Sequence, residues 1–120
     1  MNKPFVLVAE DNRVIARAAQ LSLRNFDLLV DVASNGAEAV AATRLRNYSL
    51  VLMDVEMPVM DGITATIRIR VDEEKTGKRV PIVGVTSIEN PLLLISCGMD
   101  DCVIKPADYP GLVRTWLDLE

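Results

Sequence analysis

The chain has 120 residues and a net charge of −4, with 50% hydrophobic and 25% charged residues. This size and composition predict one globular domain, residues 1–120, with enough chain to bury a core. Lys and Arg are not clustered, so no nucleic-acid partner is expected. No segment has the length and composition of a signal peptide or a membrane span, so we expect a cytoplasmic protein with no membrane partner.

The histidine and cysteine content limits the kinds of catalytic and metal site that the chain can form. Histidine is absent, which removes the commonest general base and makes a zinc or iron site unexpected. The two cysteines, Cys97 and Cys102, do not have the spacing of a zinc knuckle or a CxxC redox pair. We expect both to be small buried side chains.

Short apolar runs alternate with helical patterns along the whole chain. The alternation predicts right-handed crossovers and an α/β fold in which a parallel sheet carries helices on both faces. The predicted strands are Phe5–Ala9, Leu28–Ala33, Leu50–Met53, Val80–Val85 and a short one at Val103–Ile104.

The predicted helices follow capping and turn signals. Asn12 can cap a first helix, and Ser34-Asn35-Gly36 is a turn before an Ala-rich helix. Further helices are predicted over Gly62–Val71 and Pro110–Leu119, and Asp72–Arg79 is predicted as a polar surface connection. In the first helix the residues at helical spacing, which predict its apolar side, are Val14, Ile15, Ala18 and Leu21. In the last helix they are Leu112, Val113, Trp116 and Leu117.

Polar side chains follow four of the five predicted strands. Glu10 and Asp11 come after the first strand, Asp54 after the third, Thr86 after the fourth and Lys105 after the fifth. In sheets of this kind, ligands bind outside the carboxyl ends of the strands. We therefore expect three carboxylates, a hydroxyl and an ammonium group to meet at one edge.

Three neighbouring carboxylates repel one another unless a cation lies between them. Mg²⁺ suits them because it prefers oxygen ligands and pairs with phosphate. A lysine and a threonine hydroxyl nearby are what phosphoryl transfer requires. Asp54, the lone acid at a strand end, is the candidate nucleophile, and its product would be an acyl phosphate.

Four motifs carry a family resemblance: VLVAEDN, LVLMDVEMPVMDG, PIVGVTS and GMDDCVIKP, in this order. Together they resemble the receiver domain of two-component response regulators, and the GMDD form is most similar to receivers of hybrid histidine kinases. The resemblance covers essentially the whole chain. It implies a doubly wound, flavodoxin-like sheet of five parallel strands in the order 2-1-3-4-5.

The resemblance also implies a role for each site residue. Asp54 would accept a phosphoryl group from a phosphohistidine on a histidine kinase or phosphotransfer protein, or from a small acyl phosphate. Lys105 would pair with the phosphoryl oxygens, Thr86 would be the switch hydroxyl, and Pro106 would follow a cis peptide bond. The Mg²⁺ ligands would be Glu10, Asp11, Asp54 and the main-chain carbonyl of Glu56.

Simpler structural interpretations remain for several of these residues. The Glu10–Asp11 pair alone is compatible with a helix cap beside a solvated acid, and Lys105-Pro106 with a surface lysine before a turn. We expect the Glu56 side chain to point to solvent and Asp61 to serve the turn before Gly62. The methionines near the site are predicted to be packing residues: Met53, Met57 and Met60.

Two features depart from the family pattern. Cys102 stands where receivers usually have an aromatic residue that rotates inward with the switch hydroxyl, and cysteine is too small to copy that movement. The segment from Thr86 to Gly98 is a few residues short, with Asn90 as a possible N-cap and Pro91 as the first helical residue. We predict a short or irregular fourth helix, with part of Leu92–Ile95 exposed as an interface.

The leading functional hypothesis is a switch that changes binding of an unknown downstream protein on phosphorylation. It would catalyse its own modification, with autodephosphorylation left as an open alternative, and would not turn over an external substrate. Two alternatives remain open. One is an interaction module that signals through constitutive or homodimer contacts, with weak phospho-switching; the other is a small Mg²⁺-dependent phosphatase.

Overall fold

Five parallel strands form the centre of the structure, a computed structural model that describes residues 3–87 and 90–118. They lie in the order β2-β1-β3-β4-β5. This confirms the predicted doubly wound sheet, and the order reverses between β1 and β3, where such folds bind ligands. The strands are β1 Phe5–Ala9, β2 Leu29–Ala33, β3 Leu50–Asp54, β4 Ile82–Thr86 and β5 Asp101–Ile104.

Helices cover both faces of the sheet and divide the core in two. Successive residues of β1 point to opposite faces of the sheet, so that Leu7 lies in one apolar cluster and Val8 in the other. Because β1 and β3 are buried on both faces, their sequences are continuous apolar runs. The helices are α1 Arg13–Leu23, α2 Gly36–Leu45, α3 Gly62–Glu74, α4 Pro91–Ser96 and α5 Tyr109–Trp116.

The predicted helix starts agree with the structure to within one residue, and side chains cap α1, α2, α3 and α5. Asn12 Oδ1 accepts hydrogen bonds from the backbone N–H groups of Val14 and Ile15, and Asn35 does the same for Glu38. The predicted apolar side of α5 is also confirmed, with Val113 fully buried. The helix is shorter than the predicted Pro110–Leu119, because it begins at Tyr109 and ends at Trp116, where Leu117 leaves the helical conformation. Leu119 itself lies outside the described residues.

The predicted apolar side of α1 is wrong. The helix packs on the sheet through Ala16, Ala19 and Leu23, because small alanine side chains let the helix approach closely. The apolar residues of α1 are more numerous than one face can bury, so spacing alone did not settle the orientation. The residues of the predicted apolar side are exposed instead: Val14, Ile15, Ala18 and Leu21.

α3 runs one turn further than predicted, through Glu74, so the expected polar connection begins later. Arg70 on this helix anchors the segment before β5. Its guanidinium donates to the Glu73 carboxylate at 2.7 Å and the Asp100 carboxylate at 2.9 Å. It also donates to the backbone carbonyls of Gly98 at 2.9 Å and Val80 at 2.8 Å.

The fourth helix is short, as predicted. α4 has six residues, about 1.7 turns, with Pro91 in its first turn. Asn90 occupies the N-cap position, but its side chain makes no capping hydrogen bond. One apolar side chain, Leu94, is buried, while Leu92 and Leu93 are 79% and 54% exposed.

Candidate functional site

The polar residues predicted from the strand ends meet at the carboxyl edge of the sheet. Lys105 Nζ lies 3.0 Å from Asp54 Oδ1 and 3.9 Å from Glu10 Oε1. β4 lies between β3 and β5 and ends in Thr86, which is buried. The Lys105–Pro106 peptide bond is cis, as the resemblance implied. The structure thus brings the predicted residues together at this edge of the sheet.

Three carboxylates form a group that fits a divalent cation. One oxygen each of Glu10, Asp11 and Asp54 lies within 4.8 Å of the others. Glu10 and Asp54 are buried, whereas Asp11 is exposed. Glu10 Oε1 and Asp54 Oδ2 are buried without a hydrogen-bond partner among the described residues. Buried oxygens left without a partner are costly, and a hard cation such as Mg²⁺ would satisfy both.

The protonation of Glu10 reflects this crowding. Burial raises the pKa of Glu10 to about 7, and the neighbouring Asp54 charge adds to the rise. The Asn12 N–H opposes the shift by donating to Glu10 Oε2 at 3.0 Å. Glu10 therefore takes up a proton more readily than an ordinary carboxyl group, and a bound cation would oppose this protonation.

Lys105 keeps its charge in this environment. Burial by itself lowers the pKa of Lys105, but the hydrogen bond and charge of Asp54, together with Glu10 and Glu56, raise it above its ordinary value. An ammonium group therefore lies beside the central carboxylate. It can balance further negative charge that is added there.

The loop after β3 holds the Asp54 carboxylate in place. The Glu56 N–H donates to Asp54 Oδ1 at 3.2 Å, and the Gly62 N–H donates to the Val55 carbonyl at 2.9 Å. Gly62 is required by space, because a Cβ at that position would overlap the Asp54 backbone carbonyl. The DG pair of the motif therefore closes the loop tightly against the strand tip.

The Glu56 side chain differs from its prediction. Its carboxylate does not simply point to solvent: Oε1 accepts hydrogen bonds from Thr86 Oγ at 3.2 Å and Ser87 Oγ at 3.4 Å. Its Oε2 lies 4.0 Å from Lys105 Nζ. Sequence reasoning missed Ser87 as a site residue, and the adjacent hydroxyls after β4 were the available signal. Two hydroxyls and an ammonium draw the acid inward, although its side chain stays 42% exposed.

The remaining residues near the site have structural roles. Asp61 Oδ1 accepts a hydrogen bond from the Thr64 N–H at 2.7 Å and caps α3, so it serves the start of this helix as well as the turn. Cys97 and Cys102 are half-buried free cysteines that pack against the core, so they are less buried than predicted. The three methionines pack as predicted, with one fully and two partly buried: Met53, Met57 and Met60.

Comparison with known proteins identifies the family. A family model for the response regulator receiver domain matches residues 6–116. Histidine kinase 5 of Arabidopsis thaliana is 44% identical over 138 residues that cover 92% of this chain and 15% of the plant protein. The Vibrio cholerae sensor kinase/phosphatase CqsS is 37% identical over 112 residues, covering 91% of this chain and 16% of the kinase. The chain thus spans about a sixth of these curated relatives.

Solved structures agree with the sequence matches. One similar chain comes from a co-crystal of the yeast phosphotransfer protein Ypd1 with the receiver domain of its downstream response regulator Ssk1. It has a TM-score of 0.87 and 29% identity, covering 98% of this chain and 88% of that one. The chemotaxis protein CheY4 of Vibrio cholerae, at 23% identity and a TM-score of 0.84, shares the fold. No helix within residues 3–87 and 90–118 is long and apolar enough to cross a membrane. The chain belongs to the receiver domain family of two-component response regulators.

Proposed function

We propose that Asp54 is the phosphoryl acceptor of a phosphorylation-controlled switch. One observation carries the proposal: the Asp54 carboxylate is buried and fixed at the tip of β3. Its Oδ1 contacts the Lys105 ammonium group and accepts a hydrogen bond from the Glu56 N–H, whereas its Oδ2 has no hydrogen-bond partner among the described residues. A carboxylate fixed in this way presents an oxygen toward the carboxyl edge of the sheet. It lies beside an ammonium group that can balance the charge of a phosphoryl group.

Phosphoryl transfer to Asp54 needs little beyond this geometry. A carboxylate oxygen of Asp54 forms a bond to phosphorus while the bond from phosphorus to the donor's imidazole nitrogen breaks. The electron pair of that bond leaves with the imidazole, so no histidine of this chain is required. Lys105 would then pair with the phosphoryl oxygens. The change is confined to the chain itself, so we propose a signalling domain and no turnover enzyme.

The carboxylate group supports a Mg²⁺ ion as the cofactor. Glu10, Asp11 and Asp54 would hold it through side-chain oxygens, and the Glu56 main-chain carbonyl would complete the protein ligands. When bound, Mg²⁺ would neutralise the carboxylates and favour an incoming phosphoryl group. We place this chemistry in the cytoplasm, where cysteines remain reduced.

Replacing Asp11 by Asn should weaken Mg²⁺ binding about tenfold or more, because a charged ligand is lost from an otherwise buried site. Calorimetric titration with MgCl₂ measures the affinity directly. Asp27→Asn is the matched control, since Asp27 is an exposed acid that pairs with Lys3. Equal Mg²⁺ affinity of the Asp11→Asn and wild-type proteins would remove Asp11 from the ligands.

An exposed apolar surface beside Glu10 and Lys105 suits a phosphohistidine donor. Val14, Ile15 and Ala18 of α1 line a cavity of about 630 Å³ that also reaches Glu10 and Lys105. Val14 is 78% exposed. The similar yeast receiver was crystallised with a histidine phosphotransfer protein. We therefore propose that a phosphotransfer protein or a histidine kinase docks on α1 to deliver its phosphoryl group.

Replacing Val14 by Ser should lower kcat/KM for transfer from a phosphorylated phosphotransfer protein about tenfold, because an apolar contact of the docked complex is lost. Modification by acetyl phosphate should not change, since this small donor does not need the helix surface. Rapid-quench kinetics with the two donors separate the effects. A parallel loss with acetyl phosphate would indicate damage to the site and contradict docking on α1.

A second candidate function is constitutive partner binding with weak phospho-switching. Cys102 favours it, because this small side chain stands in β5 where receivers usually have a mobile aromatic residue. Partner affinity measured with and without Mg²⁺ and beryllofluoride, a phosphoryl mimic, separates the two candidates. Equal affinities support constitutive binding, and a change of several-fold supports the switch.

A further inference from the structure

An apolar groove separates α4 from the loop after β3. It encloses about 490 Å³ and opens beside the carboxyl edge of the sheet. This volume is within the range of sites that accept side chains or small ligands. The short α4 leaves one wall of the groove to Leu93 and Leu94. The apolar lining comprises Val55, Met57, Pro58, Ile63, Leu93 and Leu94.

Exposed apolar side chains border the groove on both sides. Leu92 and Leu93 project from α4, and Val59, which is 85% exposed, follows Pro58 on the opposite loop. Val59 has a φ of 69°, a conformation that is strained for a β-branched residue. Strained residues concentrate at binding sites, and adjoining exposed apolar side chains mark interaction surfaces.

The charge of the groove has one sign. Asp11, Glu56 and Asp61 line it, and no Lys or Arg is found among its described lining residues. With Mg²⁺ bound, Asp11 would be neutralised, and Glu56 and Asp61 would remain as the acids that a partner meets. The whole chain carries a net charge of −4. A second copy would therefore bring like charge to this surface, whereas a partner rich in Lys and Arg would be complementary.

We propose that this groove binds a basic amphipathic helix of the downstream partner, with apolar side chains in the groove and Lys or Arg facing the acids. Helix-in-groove recognition uses apolar anchors at i, i+3, i+4 and i+7, which suit an apolar groove that is bordered by acids. The helix would belong to the downstream partner of the switch proposed above. The expected effect of phosphorylation on its binding rests on that proposed function.

Glu56 connects the groove to the phosphorylation site. Its carboxylate lines the groove and accepts the hydroxyl hydrogen bonds of Thr86 and Ser87. A phosphoryl group on Asp54 would compete for Thr86 and for Lys105, which lies near Glu56. The freed Glu56 carboxylate and the added phosphoryl charge both favour a basic partner, so we expect tighter binding after phosphorylation.

A random 16-residue peptide library displayed on phage tests the partner chemistry without a known partner. Selection is run on the unmodified protein and, separately, with Mg²⁺ and beryllofluoride. We expect enriched peptides that combine helical apolar spacing with Lys and Arg. A synthetic consensus peptide should bind the Leu93→Lys protein at least about tenfold more weakly in calorimetry, because the variant removes an anchor contact and adds like charge. Leu45→Lys is the matched control, since Leu45 is exposed on α2 away from the groove.

Several outcomes would overturn the proposal: no enriched peptide, an acidic consensus, or equal affinity for the Leu93→Lys and wild-type proteins. A dimer by light scattering that Leu93→Lys disrupts would make a second copy the occupant, against the proposal. Acetyl phosphate labelling of the Leu93→Lys protein keeps this test separate from the proposed function. If the Leu93→Lys protein is labelled normally but no longer binds the peptide, the result supports the groove. If the wild-type protein binds the peptide but Asp54 is never labelled, the result contradicts only the switch.

Discussion

The Asp54→Asn protein should incorporate no acid-labile phosphate from acetyl phosphate, a loss of about 100-fold or more. The reason is chemical, because an amide oxygen is a far weaker nucleophile than a carboxylate and the acyl phosphate cannot form. Asparagine keeps the size of the side chain, so the loop after β3 should retain its packing. Labelling with ³²P-acetyl phosphate in the presence of Mg²⁺ measures the difference.

Asp61→Asn provides the matched control for this experiment. Asp61 lies in the same motif, but its side chain caps α3, and asparagine caps helices about as well as aspartate. Its labelling should therefore equal that of the wild-type protein. Undiminished labelling of the Asp54→Asn protein would place the acceptor elsewhere in the chain.

Replacing Arg70 by Met should lower the free energy of unfolding by about 3 kcal/mol. Arg70 is only 13% exposed, and its loss leaves the carboxylates of Glu73 and Asp100 without their shared cation. Breaking a buried pair by removing one partner typically costs about 3–5 kcal/mol, and the lower end suits a network that still reaches the surface. Asp100 would keep a hydrogen bond from the Ile82 N–H and an ion pair with Arg79.

Urea denaturation measures this loss, with Arg68→Met as the matched control. Arg68 is exposed on the same helix, so its replacement should change the free energy of unfolding by less than about 0.5 kcal/mol. Equal midpoints for the two variants would show that the Arg70 contacts contribute nothing to stability.

The strands and the position of the site follow from local sequence. Apolar runs such as Leu50–Met53 are buried on both faces, and in a parallel sheet the polar residue after each strand reaches the same edge. Asp54 and Lys105 therefore meet although they are far apart in the chain. The short α4 was predictable from the length of its segment, since Pro91 fixes where that helix begins.

Features that depend on distant contacts could not be predicted in the same way. The buried side of α1 depends on how closely the helix approaches the sheet, which favours Ala16 and Ala19 over the larger Val14. The inward turn of Glu56 depends on hydroxyls that lie 30 residues further along the chain. From the sequence alone, Arg70 cannot be told from an exposed surface cation, because its partner Asp100 is brought beside it only by the fold. Each feature is decided by a partner that local spacing does not reveal.

Direct identification of the phosphorylated residue tests the central claim. Borohydride reduces an aspartyl phosphate to homoserine, so treatment of the acetyl phosphate-labelled protein marks the acceptor permanently for mass spectrometry of its peptides. We predict homoserine at position 54 only, in a yield that falls when EDTA removes Mg²⁺. Unreduced Asp54 in labelled protein, or phosphate that survives on a hydroxyl such as Thr86, would contradict the account.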